Sequence, residues 1–318
     1  MWRCNGWLCG FRLRLIAQYE STRPDVNDAT RLTLQREQEA GFIVIYQVEL
    51  PAPVLADQRP IRLVQCSDMH LFANPDSQLL GLNTQHSFEQ VVALVKQQQP
   101  SIDLLLTTGD IAQQSEPATY QRFLQTMQPL DAAHFCIPGN HDLSHAYDHH
   151  LPLNQLPCEV VIGNWCCILL DSSVDHEIAG SFSQRMLDYL EQALQRQHDK
   201  HILIALHHNP IAVGCVWLDQ HMLKTHHAFF EVIANHPQVK LVIHGHVHQE
   251  FEQQHRGVTY LSCPATSLQF KPHSVKFTLD RVSPGYRQFD LHTDGRFETQ
   301  VHRLQDYHFS VDFQSLGY

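Results

Sequence analysis

The feature that most constrains the fold is a regular alternation of apolar runs and amphipathic stretches between residues 61 and 243. The apolar runs have the length of strands, and the stretches between them have the periodicity of helices. Strands separated by helices need crossover connections, so the pattern predicts an α/β protein with a largely parallel or mixed sheet. Strands are predicted at residues 61–66, 103–108, 134–137, 166–170, 201–206 and 240–243, and helices at 87–99, 115–127, 183–196 and 229–234.

Two local signals refine this pattern. Ser87 and Gln90 have the spacing of a capping box, which predicts that the first helix opens at Ser87. The helical pattern stops after Gly257, and the remaining chain is predicted to form further strands at residues 259–263, 275–279, 286–291 and 297–302.

The composition is that of a globular chain that can bury a sizeable core. Of 318 residues, 43% are hydrophobic and 17% are charged. The net charge of −11 argues against nonspecific binding to nucleic acid or to an anionic membrane surface. Nine cysteines without a C-x-x-C pair indicate reduced cysteines in a cytoplasmic protein rather than a disulfide framework. No apolar run approaches 18 residues, so no membrane span is predicted.

Residues 1–45 differ from the rest of the chain. Arginines are spread among aromatic residues and cysteines there without a strand and helix rhythm. Gly10 and Arg12 interrupt the apolar stretch that a secretory signal would need, and the acidic residues disfavour a transit peptide. We therefore expect an N-terminal extension at 1–45, poorly ordered or the product of a misassigned start, followed by one catalytic domain at 46–318.

Five polar clusters directly follow predicted strands, and these carry the chemistry. Side chains at the carboxyl ends of neighbouring strands converge on one edge of an α/β sheet. Together the clusters offer oxygen and nitrogen ligands and no thiolate, a set that suits Mn²⁺, Fe or Zn²⁺. Histidine, with 24 copies, outnumbers Lys and Arg combined. The clusters are Asp68-Met69-His70, Gly109-Asp110, Gly139-Asn140-His141-Asp142, His207-His208 and Gly245-His246-Val247-His248.

Each cluster alone has an ordinary structural explanation. An aspartate after a strand is more often an Asx turn or a helix cap, and two histidines one residue apart can lie in a solvated turn. His208, next to His207, and His244, next to Gly245, are interpreted as residues that support the site or the fold rather than as ligands. The ordered series of five clusters, each after a strand, is what favours a metal site over these alternatives.

This series resembles the calcineurin-like metallophosphoesterase superfamily, whose pattern is D-x-H, G-D, G-N-H-[DE], H and G-H-x-H. Further fragments, such as residues 68–72, 81–84, 215–221 and 269–273, resemble bacterial class III 3′,5′-cyclic-AMP phosphodiesterases. Met69 and Asn209 depart from the usual residues of that family. The resemblance covers about residue 45 to the C-terminus and implies two mainly mixed β-sheets packed as a four-layer sandwich flanked by helices.

The resemblance also implies roles for individual residues. One divalent ion would be held by Asp68, His70, Asp110 and His248, and a second by Asp110, Asn140, His207 and His246. Fe²⁺ or Mn²⁺ is expected, with Zn²⁺ as the alternative. His141 is expected to be catalytic, with Asp142 orienting its ring. Substrate contacts are expected from His70, Asp110, Asn140, His141 and His248.

The implied function is hydrolysis of 3′,5′-cyclic AMP to 5′-AMP, with a hydroxide shared by the two ions as nucleophile. The substrate is thus a small-molecule cyclic nucleotide, with no nucleic acid or membrane partner expected and the oligomeric state left open. Two alternatives stay open, because a metal core polarises any phosphoryl group. They are a metallophosphoesterase for another phosphodiester or a phosphomonoester, and a non-catalytic scaffold on the same fold.

Overall fold

The computed structural model describes residues 31–35, 45–51, 59–143, 151, 158–308 and 310–317. Its helices are α1 (Thr84–Gln98), α2 (Pro117–Met127), α3 (Gln184–Arg196) and α4 (His226–Ile233), with a 3₁₀ turn at Gln128–Leu130. Its strands are β1 (Arg31–Gln35), β2 (Ile45–Leu50), β3 (Ile61–Cys66), β4 (Gln78–Leu79), β5 (Leu82–Asn83), β6 (Leu104–Thr108), β7 (Ala133–Ile137), β8 (Cys158–Ile162), β9 (Trp165–Leu169), β10 (His201–Ala205), β11 (Val239–His244), β12 (Phe251–His255), β13 (Val258–Ser262), β14 (Gly285–Leu291) and β15 (Phe297–Arg303).

The strands form two large mixed sheets. One has eight strands in the order β1-β2-β8-β9-β10-β11-β13-β12, and the other has five in the order β15-β14-β3-β6-β7. The pairs β9–β10, β10–β11, β3–β6 and β6–β7 are parallel. The pairs β14–β15 and β12–β13 are antiparallel. The predicted α/β class with mixed sheets is confirmed.

The two sheets pack face to face, and helices cover both outer faces. In β3, Leu63 points into the core between the sheets while its neighbour Val64 points to the helical side. Successive side chains of a strand face opposite sides, so burial on both faces favours apolar residues at consecutive positions, as at 104–106 in β6. Helices α1 and α2 cover the five-stranded sheet, and α3 and α4 cover the eight-stranded sheet. This is the predicted four-layer sandwich.

The start of α1 differs from the prediction. The helix begins at Thr84, and the Asn83 side chain caps it by accepting a hydrogen bond from the His86 amide at 2.7 Å. The Ser87 hydroxyl, predicted to cap the helix, instead donates to the Thr266 carbonyl at 2.6 Å. The capping-box prediction was wrong because the serine bonds to a distant loop.

The strand predictions also need correction: one predicted strand does not form, and β8 and β12, like β1, β2, β4 and β5, were not predicted. Residues 275–279 form no strand, and only an isolated bridge joins Phe270 to Leu279. Val275 is 68% exposed, so the valine that suggested a strand lies on the surface of a loop. Strand β8 was not predicted because Glu159 interrupts its apolar run, and β12 was not predicted because three of its residues are exposed.

The N-terminal stretch is described only in part. Within residues 1–45, the structure describes Arg31–Gln35 and Ile45, and Arg31–Gln35 forms β1, which pairs antiparallel with β2. The other residues of that stretch lie outside the described part of the chain, so the division at residue 45 stays a prediction. Among the described residues, no helix has the length and apolarity that crossing a bilayer requires.

Candidate metal centre

The loops that follow β3 and β6 run side by side, and this brings the first two polar clusters together. The amide of Asp68 donates to the Gly109 carbonyl at 3.0 Å, and the amide of His70 donates to the Asp110 carbonyl at 3.0 Å. These bonds continue the parallel pairing of the two strands beyond their ends. The side chains of Asp68, His70 and Asp110 are therefore held on a shared, rigid backbone.

Several candidate ligands have left-handed backbone, which is uncommon for residues other than glycine. Their φ values are 57° for Asp68, 50° for His70, 50° for Asp110, 67° for His246 and 47° for His248. Each such residue costs about 1–2 kcal/mol. Strain of this kind persists where the surrounding structure enforces it, and it concentrates at functional sites.

Three glycines allow the loops to approach closely. A Cβ at Gly109 would collide with the His207 ring, and one at Gly139 would collide with the Asp110 carboxylate. A Cβ at Gly245 would lie 2.7 Å from the Thr108 carbonyl oxygen and 2.8 Å from Asp68 Oδ2. The glycines of the sequence motifs are thus needed for space around the ligands.

We expect Gly245→Ala to weaken metal binding, because the new methyl group would displace Asp68 or its loop. The matched control is Gly257→Ala, where a Cβ meets nothing within 4 Å but the residue has φ 82°. That control should cost about 1–2 kcal/mol of stability through backbone strain and leave metal binding unchanged. Metal titration and thermal unfolding of both variants measure the difference, and equal metal affinity in the two would refute the crowding argument.

The candidate ligands form two buried groups. In each group, the potential ligand atoms all lie within 4.8 Å of one another. We call the group of Asp68, His70, Asp110 and His248 the aspartate cluster. The group of His207, His208 and His246 is the histidine cluster.

In the aspartate cluster, unprotonated nitrogen atoms face each other and a carboxylate. His248 Nδ1 lies 2.7 Å from the Leu268 carbonyl oxygen, which only accepts, so Nδ1 carries the hydrogen. In the neutral ring, the Nε2 lone pair then points at His70 Nε2, 3.1 Å away, and at Asp68 Oδ1, 3.3 Å away. Converging lone pairs repel one another unless a cation lies among them, so these residues fit a metal ion.

Asp110 joins the two clusters. Its Oδ2 atom lies 3.6 Å from His70 Nε2 and 3.3 Å from His207 Nε2. His207 Nε2 also lies 3.2 Å from Asn140 Oδ1. His246 Nε2 is buried and has no hydrogen-bond partner in the described structure, as expected for an atom that binds a metal ion. The predicted ligands are thus all brought together, and the donors fit two ions that share one carboxylate.

Burial and neighbouring charges set the protonation of this site. Burial lowers the pKa of His70 to about 3 and holds the pKa of His246 well below its usual range, so both rings are neutral. Burial also acts to lower the pKa of His207, but the Asp110 carboxylate overrides it and raises the pKa to about 9. Burial opposes ionisation of Asp110, yet His207 holds its pKa well below the usual range. At neutral pH the metal-free site therefore contains a charged Asp110 carboxylate, neutral His70 and His246 rings that can bind a metal ion directly, and a protonated His207 that must release its proton when a metal ion binds.

His208 has partners for both ring nitrogens. Its Nδ1 lies 2.8 Å from Ser172 Oγ, and its Nε2 lies 3.0 Å from the Ile178 carbonyl oxygen. Both atoms are engaged in fixing the loop between β9 and α3, which agrees with the structural interpretation of this residue. His244 donates from Nδ1 to the Gly245 carbonyl at 3.0 Å, although its Nε2 has no hydrogen-bond partner in the described structure.

His141 and Asn140 are the half-buried members of the site, whereas Asp68, His70 and His207 are fully buried. The His141 ring contacts the His70 ring edge to face, with centroids 4.9 Å apart. Its backbone amide donates to Asp110 Oδ1 at 2.9 Å. The side of the site that carries Asn140 and His141 is therefore the one that solvent and substrate can reach.

The hydrogen bonds of Asp142 differ from those expected. Its carboxylate accepts from the amides of Ile111, Ala112 and Gly139, each at 3.0 Å, and from the Tyr120 hydroxyl at 2.9 Å. These bonds use both carboxylate oxygens. They tie the loop after β7 to the loop after β6, and the orientation of the His141 ring by Asp142 stays a prediction.

Sequence reasoning missed the residues that support the ligands. Phe270 stacks on His248 with centroids 4.2 Å apart and planes inclined by 13°. The hydroxyl of Ser267 donates to the Asp68 carbonyl at 2.6 Å. Both lie in the loop after β13, and the resemblance of residues 269–273 was the signal that could have pointed there.

Comparison with known proteins identifies the family. The family model described as calcineurin-like phosphoesterase matches residues 61–250, which contain every candidate ligand. The chain belongs to this family. Among relatives, the 3′,5′-cyclic adenosine monophosphate phosphodiesterase CpdA of Vibrio vulnificus is 43% identical over 264 residues, covering 82% of this chain and 96% of the relative. The protein of the same name from Escherichia coli K12 is 40% identical over 267 residues, covering 83% and 97%.

Solved structures share the fold at lower identity. A dimetal phosphatase from Danio rerio superposes with a TM-score of 0.56 at 15% identity, covering 77% of this chain and 99% of the other. Purple acid phosphatase PPD1 from yellow lupin superposes with a TM-score of 0.57 at 12% identity, covering 84% and 55%. These likenesses support the two-sheet sandwich and say nothing about substrate.

Proposed function

We propose that this protein hydrolyses 3′,5′-cyclic AMP to 5′-AMP with two divalent metal ions. The observation that carries the proposal is the pair of ligand clusters joined by Asp110, with lone pairs converging in the aspartate cluster and the buried Nε2 of His246 left without a hydrogen-bond partner in the histidine cluster. The choice of substrate is supported by relatives 40–43% identical over nearly their whole length, which are named as cyclic AMP phosphodiesterases.

The proposed ligands divide between the two ions. Asp68, His70, Asp110 and His248 hold the first. Asp110, Asn140, His207 and His246 hold the second. When bound, two such ions supply an activated water molecule and neutralise charge on the phosphoryl oxygens. Oxygen and imidazole donors suit Mn²⁺ or Fe²⁺, with Zn²⁺ as the alternative.

The chain's own groups complete the proposed reaction. The imidazole of His141, on the open side of the site, donates a proton to the departing 3′-oxygen or a hydrogen bond to a phosphoryl oxygen. The side chains of His70, Asp110, Asn140 and His248 bound the space in which the phosphate is placed. Asp142 positions other site residues, because its hydrogen bonds fix the two loops that carry Asp110 and His141.

A cytoplasmic location is part of the proposal. The described cysteines are all free and buried, as expected of thiols that pack in a core under reducing conditions. Burial raises the pKa of Cys66 and of Cys167 to about 12, so these thiols are protonated and unreactive at neutral pH.

A turnover panel tests the substrate. The protein, loaded with Mn²⁺ or Fe²⁺, is incubated with 3′,5′-cyclic AMP, 3′,5′-cyclic GMP, 2′,3′-cyclic AMP and p-nitrophenyl phosphate. We expect 3′,5′-cyclic AMP to have the highest kcat/KM and chelated protein to be inactive. Comparable rates on all four would reduce the function to that of a general phosphoesterase, and no turnover by loaded protein would favour a scaffold.

A further inference from the structure

Three candidate ligand histidines are each held by a hydrogen bond at Nδ1. In two of them the partner is a backbone carbonyl, and in the third it is a side chain. His207 Nδ1 lies 2.7 Å from the Thr108 carbonyl oxygen, and His248 Nδ1 lies 2.7 Å from the Leu268 carbonyl oxygen. His70 Nδ1 lies 2.7 Å from Oε1 of the Gln113 side chain. The orientation of His70 is therefore set by a side chain, while backbone sets the other two.

Backbone hydrogen bonds between the loops after β3 and β6 fix the position of Gln113. Its amide donates to the Leu71 carbonyl at 2.8 Å, and the Leu71 amide donates to the Ile111 carbonyl at 2.9 Å. A parallel bridge between Leu71 and Ala112 completes the ladder. This register places the half-buried Gln113 beside the edge of the His70 ring that faces away from the aspartate cluster.

We propose that Gln113 is a positioning residue that sets the affinity of one metal site and not the other. By accepting the hydrogen of His70 Nδ1, its carboxamide fixes the tautomer and directs the Nε2 lone pair into the aspartate cluster. Within the described part of the chain, the Gln113 side chain makes no hydrogen bond to the histidine cluster, so we expect the ion at that cluster to be bound as in the wild type. This inference rests on the proposed function, because it takes His70 as a metal ligand.

Two substitutions and a matched control separate positioning from packing. Gln113→Met removes the acceptor at similar side-chain length, whereas Gln113→Glu keeps an oxygen at the same place. Gln114→Met makes the same change at the next residue, which is exposed. Calorimetric titration of the metal-free proteins with Mn²⁺ measures each binding event, and thermal unfolding without metal shows whether each variant is folded.

In Gln113→Met, we expect one of two binding events to weaken by about 10–100-fold, the usual cost of losing a partner behind a metal ligand. Gln113→Glu should bind both ions at least as tightly as wild type, and Gln114→Met should match wild type. If Gln113→Met does not fold, Gln113→Ala removes the same acceptor and has the same expected result.

The titrations distinguish failure of the role proposed for Gln113 from failure of the proposed two-metal function. Wild-type affinity at both sites in Gln113→Met would refute the role of Gln113 while leaving the proposed function intact. Equal weakening of both sites, or failure of Gln113→Glu to retain the affinity, would show a general structural role and also refute it. If the wild-type protein binds fewer than two ions, the proposed function fails at that step, before any variant is compared.

Discussion

Asp110→Asn is expected to lower turnover by more than about 100-fold, because losing even a partner behind a metal ligand costs 10–100-fold and Asp110 is itself the shared ligand. Its carboxylate is the group that contacts both His70 and His207. The asparagine keeps an oxygen that can accept from the His141 amide, so the loop after β7 should stay in place. The variant therefore removes charge from the site with little change in shape.

The matched control for this variant is Asp103→Asn, at the opposite end of the same strand. Asp103 pairs with Arg59 and accepts from the Arg62 amide at 2.8 Å, far from the candidate ligands along β6. We expect it to cost some stability and to leave kcat and metal stoichiometry unchanged. Elemental analysis and initial rates measure both variants. Two tightly bound ions and wild-type turnover in Asp110→Asn would contradict the shared-carboxylate site.

His141→Ala is expected to keep both ions and to lower kcat by about 10²–10⁴-fold, the usual contribution of a proton-transfer group. Metal binding should survive because Asp110 is contacted by the His141 amide, and alanine retains that amide. The combination of full metal content and low kcat is specific to a group that acts on the substrate. Metal analysis together with steady-state kinetics on 3′,5′-cyclic AMP measures it.

His134→Ala is the control for this substitution. His134 lies on β7, the strand that leads to the His141 loop, and its Nε2 is 2.9 Å from Thr107 Oγ1. We expect the His134→Ala variant to keep the wild-type kcat. Wild-type kcat in His141→Ala would rule out the proton-donor role, and loss of an ion from His141→Ala would show that His141 serves metal binding instead.

The features of the fold and site that the sequence could predict are those that depend on residues close together in the chain. Residues 104–106 are all leucine because β6 is buried on both faces, and the clusters at Asp68 and Asp110 directly follow β3 and β6. Neighbouring parallel strands have their carboxyl ends at the same edge of the sheet. The convergence of these clusters therefore follows from the order of strands and helices along the chain. This is why the fold class and the grouping of the candidate ligands could be predicted.

The parts that sequence could not predict depend on partners far away in the chain. Ser87 has the spacing of a helix cap, but it bonds to the Thr266 carbonyl, 179 residues away. Glu159 interrupts an apolar run, yet β8 forms because Arg196, Gln197 and Tyr189 from the region of α3 satisfy the buried carboxylate. No local pattern contains these contacts.

The contacts of Asp142 and Gln113 also could not be predicted from the sequence. Asp142 follows His141 directly, which suggested that the two side chains pair, whereas the carboxylate bonds to Gly139, Ile111 and Ala112. Gln113 stands in a short glutamine run that has no pattern of a site, and only the register between the loops after β3 and β6 places it on His70.

The measurement that tests the central claim most directly is product formation from 3′,5′-cyclic AMP as metal-free protein is titrated with Mn²⁺. The two clusters joined by Asp110 predict that 5′-AMP appears only with added metal and that the rate saturates near two equivalents per chain. Full turnover by the metal-free protein, or no 5′-AMP at any metal concentration, would contradict a two-metal cyclic AMP phosphodiesterase.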